Sequence, residues 1–346
     1  MQKNIRISLG FNDVPFVRQT PGNSGIWNDC HFFFEDTLPE YDYWVVYNSP
    51  LASEITKCPP QNSLLVTGEP SEILTYPAKF TNRFGHVITN IPQIHGKDVI
   101  QSQTGLPWRL GKKVSFEINP RGYLNYDDFV TLDVPVKKKS ISVITSNKTM
   151  IEGHRKRLDF VLKLQEYFGS EIDIYGRGIN EIEDKWEAIV DYKYHISIEN
   201  SSIPNYWTEK IGDSYLGWSF PVYFGCPNIN QYFPIGSYQT IDINDFSGSV
   251  KTIERILNSH VYENSLESLQ VARQLILNKY NFFPLVDEFI QRNYSISKSK
   301  WIVIMPLRKK VKHKARLIDF VHLIIICVRK LTNKTRNGFN VRRRSI

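Results

Sequence analysis

Nine short runs rich in β-branched and aromatic residues punctuate the chain: "NIRISLGF", "YDYWVVY", "SLLVTG", "FGHVIT", "ISVITS", "IDIYG", "YHISIE", "FPVYFG" and "YQTIDI". Helical or loop stretches separate them, and strands alternating in this way with helices read as βαβ units and mostly parallel sheets. A chain of 346 residues is too long for one ordinary core and suits two domains of roughly 150 residues. Its 41% hydrophobic and 13% aromatic content is enough for two cores. The alternation breaks between Pro107 and Lys139, where "PWRLGKKVSFEINPRGYLNYDDFVTLDVPVKKK" is polar and punctuated by Gly and Pro, as an interdomain crossing would be. The expected organisation is an α/β domain over 1–138, a second over 139–296, and a basic amphipathic tail over 297–346.

The formal charge of +8 is not spread evenly. Residues 305–346 carry thirteen Lys/Arg and one acid, a net +12, which leaves the remaining body at −4. A mildly acidic body argues against a nucleic-acid-binding core. Within the tail, a twelve-residue apolar run from Leu317 to Val328 lies between basic clusters. It is too short to span a bilayer, but apolarity flanked by positive charge suits an anionic membrane surface. Cys30, Cys58, Cys226 and Cys327 show no C-x-x-C pair and no zinc-like spacing to histidine, so free thiols in a reducing compartment are expected. "MQKNIRISLGFNDV" enters a strand-like segment with no apolar signal core, and the expectation is a cytoplasmic protein, peripheral at the inner face of the membrane.

In open α/β sheets ligands bind beyond the carboxyl ends of the strands, against helix N-termini. Three segments of the second domain fit that placement. "ISVITSNKT" leads into a helix expected over 152–168, with Leu158, Val161, Leu162, Gln165 and Phe168 on one side and Gly169 as its stop. Arg155 and Arg157 fall in its first turns. "YHISIENSS" delivers Glu199, Asn200 and Ser201 to the same edge. An exposed Tyr206-Trp207 pair then precedes Glu209 and Lys210 at the start of an apolar helix. A helix start carries partial positive charge, so a lysine there is disfavoured by roughly 0.3–1 kcal/mol unless an anion sits opposite. Lys210 therefore reads as half of an anion site, and a diphosphate between a nucleoside and a sugar suits the crevice.

The segment Tyr192 to Phe246, with its Tyr-Lys-Tyr, Glu-Asn-Ser, Tyr-x-Thr-Glu-Lys, Pro-Val-x-x-Gly and Asp-Phe elements in order, resembles the donor-binding signature of the family 10 α-1,3/4-fucosyltransferases. The resemblance extends more loosely upstream through "SNKTMIEGHRKRLDFVLKL" and covers roughly the second domain. It implies a GT-B fold of two Rossmann-like domains facing across a cleft, GDP-fucose as donor, inversion at the anomeric carbon, a glycan acceptor, and no cofactor or metal. Carried over by position, Arg155 and Lys210 bind the diphosphate, while Asn200, Tyr206 and Glu209 hold phosphate, base or ribose. Alternatives are another nucleotide sugar on the same fold, or a non-catalytic peripheral membrane protein.

Inverting transfer needs a carboxylate to take the acceptor's proton. "SLLVTGEPS" offers Glu69 just after a strand, in a turn bounded by Gly68 and Pro70, and the only match in the first domain to the same family lies there. Glu69 is preferred to Glu72, which should point into the start of the next segment. His86, His95 and Trp108 lie in segments that could face an acceptor.

Overall fold

The computed structural model describes residues 2–11, 16–71, 73–147 and 151–307. Its strands in chain order are β1 (Lys3–Leu9), β2 (Ile26–Trp27), β3 (Cys30–Phe33), β4 (Tyr43–Tyr47), β5 (Glu54–Cys58), β6 (Ser63–Val66), β7 (His86–Thr89), β8 (Val99–Gln101), β9 (Lys139–Ile144), β10 (Ile172–Tyr175), β11 (Tyr192–Ile198), β12 (Phe220–Phe224), β13 (Gln239–Thr240) and β14 (Lys300–Ile304). The α-helices are α1 (Ala78–Thr81), α2 (Tyr126–Thr131), α3 (Glu152–Phe168), α4 (Trp186–Ile189), α5 (Glu209–Leu216), α6 (Phe246–Leu257), α7 (Val261–Asn264), α8 (Leu266–Asn278) and α9 (Phe282–Asn293). Each of the nine β-rich runs contains one strand.

Two parallel sheets organise the molecule. The first has the order β2-β3-β1-β4-β6-β7-β8, antiparallel only at the β2–β3 hairpin, and the second β10-β9-β11-β12-β13. β4 is buried at all five positions, as a central strand covered on both faces must be. In each sheet the first long strand lies between its two successors, so the direction of winding reverses beside it. Ligands bind at such reversals, beyond the carboxyl ends of the strands. In the second sheet the reversal falls between β9 and β11. Right-handed crossovers put α3 and α5 on opposite faces, and both helices start at the carboxyl edge.

The expected domain limits need two corrections. The stretch read as a polar crossing is packed into the second core, which buries Trp108, Leu110, Val114, Leu124 and Phe129. Trp108 meets Phe129 edge-on at 5.7 Å and fills the core; it does not face an acceptor. The second domain also ends earlier than residue 296. α9 returns to the first core through Phe282, Phe283, Val286, Phe289 and Ile290, and β14 pairs antiparallel with β5. The apolar face of α9 would suit either core, and only the tertiary contacts decide. Residues 300–304, expected in the tail, are thus a strand of the first domain. The basic segment from 308 onward lies outside the described residues.

Candidate donor site and facing carboxylate

At the β9/β11 reversal is a cavity of about 200 Å³. Thr145 and Ser146 line it from the end of β9, Arg177 from the turn after β10, Lys185 from beside α4, and Arg157, Glu209 and Lys210 from the two helix starts. Small-ligand pockets usually run ~300–1,000 Å³. A ligand of that usual size would therefore extend beyond this cavity.

The helix α3 forms where expected, with Gly169 at φ 56° as its stop, but it is rotated relative to the expected face. Its buried positions are His154, Arg157, Phe160, Val161, Leu164 and Phe168, while Leu162 is 47% exposed. Arg155 consequently points to the exposed side. Arg157, one turn before Phe160 and Val161, is 7% exposed and donates from Nη1 to Asn200 Oδ1 at 2.6 Å. Burial lowers its pKa, against the opposing pull of Glu199 and Glu209. Its Nε and the Thr145 hydroxyl are both buried without a hydrogen-bond partner among the described residues. The close approach of α3 requires Gly153, since a Cβ there would fall 1.8 Å from the Asn200 carbonyl oxygen.

Lys210 does line the cavity, but its unfavourable place at a helix start already has a counter-anion inside the protein. Glu199, 1% exposed just past β11, accepts from Lys210 Nζ at 2.9 Å, from the Thr208 amide at 2.7 Å and from the Thr208 hydroxyl at 2.7 Å. Thr208 in turn caps α5 by accepting from the Lys210 amide. Glu209 is about a quarter exposed, toward the cavity. Burial alone would raise its pKa, but Lys210, Lys185 and Arg109 outweigh it and hold the carboxyl well below the usual range.

Tyr206 and Trp207, expected to be exposed, are 2% and 5% exposed. Trp207 packs edge-on against Tyr232, Phe233 and Tyr280. The pair anchors the loop before α5, and Tyr206 bears electrostatically on Arg157. Three ionisable cavity residues were missed in the sequence, Arg177, Lys185 and His195. The Ser142 hydroxyl is bonded to His195 Nδ1 at 2.8 Å and also meets the Ala188 carbonyl. Burial, helped by nearby Lys185, lowers the His195 pKa to about 3.

Across the cleft, Glu69 sits in the turn after β6 and is half-buried. The turn is tightly held. The Gly68 amide donates to Asn48 Oδ1 at 2.5 Å, Tyr76 Oη donates to the same oxygen at 2.7 Å, and Asn48 itself has φ 62°. Tyr47 packs directly beneath, where a Cβ on Gly68 would lie 2.6 Å from its hydroxyl. Burial keeps the Tyr47 phenol protonated, and the carboxylates of Glu69 and Glu209 both push in the same direction. One carboxylate from each domain thus acts on the same phenol. Glu72 lies outside the described residues. His86 is at the start of β7, the end remote from the cleft, with Nδ1 2.7 Å from Asp98. His95 is exposed in the loop before β8.

Two doubly wound parallel sheets, with a polar cavity at the winding reversal of the second, are the architecture of the GT-B fold. Residues 134–266 match the family profile described as "Glycosyltransferase family 10 (fucosyltransferase) C-term". The chain is 30% identical over 84 residues to the alpha-(1,3)-fucosyltransferase FucT of Helicobacter pylori, an alignment covering 24% of this chain and 17% of that protein. It is 30% identical over 113 residues to alpha-(1,3)-fucosyltransferase B of Drosophila melanogaster, covering 32% and 24%. The aligned segments therefore span less than a quarter of these relatives' own length. Among solved structures, an alpha1,3-fucosyltransferase with GDP superimposes with a TM-score of 0.46 at 15% identity, over 81% of this chain and 92% of that one.

Proposed function

We propose that the protein transfers L-fucose from GDP-fucose to a hydroxyl of a glycan acceptor, with inversion and without a metal. The observation that carries this reading is the coincidence of the family 10 match with a cationic cavity at the second domain's winding reversal. In the proposed mechanism the diphosphate lies against the starts of α3 and α5. Arg157, Lys210 and Lys185 offset the charge that develops on it as the glycosidic bond breaks, the role of preorganised positive groups around a leaving group. Arg157 takes the part that sequence position alone assigned to Arg155, because of these two it is the one that lines the cavity. Asn200 orients Arg157, Glu209 accepts from sugar or ribose hydroxyls, and Tyr206 supports the loop from below. Glu69, held in its turn by Asn48 and Tyr76, removes the proton from the attacking acceptor hydroxyl on the opposite face of the sugar.

The test is a panel of GDP- and UDP-sugars offered to the purified protein with EDTA present, with nucleotide release and glycan products followed by mass spectrometry. Release from GDP-fucose, retained in EDTA, is expected. Release from a UDP-sugar alone would overturn the donor assignment. Glu69→Gln should abolish transfer while GDP binding stays within about twofold, and undiminished transfer would remove Glu69 from its role. For the basic segment after residue 307 we propose contact with an anionic membrane, at the cytoplasmic face. Full-length protein should float with vesicles containing anionic lipid and not with neutral ones, and loss of the difference on truncation after residue 307 checks the assignment.

A further inference from the structure

Residues 108–113 form a strap between the domains whose two sides are bonded to different partners. Past Trp108, whose amide donates to Gln19 of the first domain at 2.8 Å, four amides face the second domain: those of Arg109 and Leu110 donate to Asp213 Oδ1 at 3.0 and 3.1 Å, and those of Gly111 and Lys113 donate to Asp184 at 2.7 and 2.9 Å. Two of its carbonyls face the first domain, where fully buried Arg18 donates to Trp108 at 2.7 Å and Leu110 at 2.9 Å. Asp213 is itself fully buried on α5, one turn beyond Glu209. Its second oxygen accepts from Lys185 Nζ at 2.7 Å, and that same ammonium is 3.5 Å from Glu209 Oε1 in the cavity. A structural anchor for two backbone amides needs only an acceptor, and a neutral asparagine supplies one. The carboxylate is required by the ammonium.

We infer that Asp213 and Lys185 are a positioning pair for the donor site: Asp213 holds Lys185 between itself and Glu209, and pegs the strap that carries the first domain to the same point. The inference rests on the donor reading above. With Asp213 ionised, Lys185 is shared, and Glu209 keeps acceptor capacity for a ligand hydroxyl. With Asp213 neutral, Lys185 closes onto Glu209 and that capacity is lost. The strap amides meanwhile keep their Oδ1 acceptor, so the fold is maintained.

The experiment measures GDP affinity by calorimetry, GDP-fucose hydrolysis and melting temperature for wild type, Asp213→Asn, Lys185→Met and Lys185→Arg. Asp213→Asn should weaken GDP-fucose binding, read as the KM of hydrolysis, by about tenfold while melting stays within a few degrees. Lys185→Met should weaken GDP about tenfold or more, and Lys185→Arg should recover most of that loss, a rescue that a merely space-filling role would not produce. If Lys185→Met fails to fold, Asp213→Asn and Lys185→Arg decide. The inference is overturned if Asp213→Asn and Lys185→Met keep wild-type KM and GDP affinity, or if melting falls in step with both. A wild-type protein that does not bind GDP would overturn the donor reading itself and this inference with it.

Discussion

Replacing Arg157 and Arg155 in parallel separates a cavity role from a solvated helix face more sharply than any other pair of substitutions. Arg157 is 7% exposed, bonded to Asn200 at 2.6 Å and carried into the cavity by the rotation of α3. A hydrogen bond involving a charged group contributes ~1.5–3 kcal/mol, and each 1.4 kcal/mol is a factor of ten in affinity. If one such bond reaches the diphosphate, Arg157→Met should weaken GDP by about 10- to 150-fold. It should also cost about 1–3 kcal/mol of stability, because Asn200 Oδ1 loses its donor in a confined site. Arg155 lies on the exposed side of the same helix two residues earlier. Arg155→Met should leave GDP affinity within twofold and stability within about 0.5 kcal/mol, as is usual for surface substitutions. Calorimetric titration with GDP and urea unfolding measure both. The reversed result, a large loss from Arg155→Met with Arg157→Met near wild type, would refute the assignment and with it the reasoning from helix rotation.

Three further outcomes follow from the buried groups around the site. His195 has its folded pKa lowered to about 3 from 6.5, so the unfolded chain takes up a proton first as pH falls below 6.5. Stability should drop by about 3 kcal/mol between pH 6.5 and pH 4, and urea unfolding of His195→Gln should show a pH slope smaller by about one proton in that window. Lys137 donates to the carbonyls of Val190 and Gly217 at 2.7 and 2.8 Å, closing the C-terminal ends of α4 and α5, and burial lowers its pKa to about 7. The unfolded chain holds more protons between pH 7 and 10.5, so stability should rise with pH across that window by up to about 1 kcal/mol per unit, and Lys137→Met should flatten the rise. Gly153→Ala would set a Cβ against the Asn200 carbonyl oxygen, a backbone atom that cannot swing away. Overpacking of this kind costs about 1–3 kcal/mol, and a lowered melting temperature together with weaker GDP binding is expected as Arg157 is drawn off Asn200.

The parallel sheets were legible in the chain because each buried strand is a short β-branched run between helical stretches, and both domains follow from that alternation. The face of α3 was not. Two overlapping stripes of the helix share Val161 and Phe168, one continuing through Leu158 and Leu162 and the other through Phe160 and Leu164, and the second also carries His154 and Arg157. By sequence alone the stripe without cations looks like the inward one. The structure favours the other because Asn200, 43 residues later, supplies a partner for the buried guanidinium. Lys210 shows the converse. Its place at a helix start correctly signalled an anion, but the nearest one is Glu199, which belongs to the same Glu-Asn-Ser segment and was legible as a strand-end residue. A lysine already neutralised within the fold is weaker evidence for a phosphate than an isolated one. Lys185 is paired in the same way with Asp213, so the weight of the donor reading moves to the two arginines that line the cavity, Arg157 and Arg177. Two guanidinium groups at one cavity suit a ligand bearing more than one negative charge, which a nucleoside diphosphate sugar has and a neutral sugar lacks.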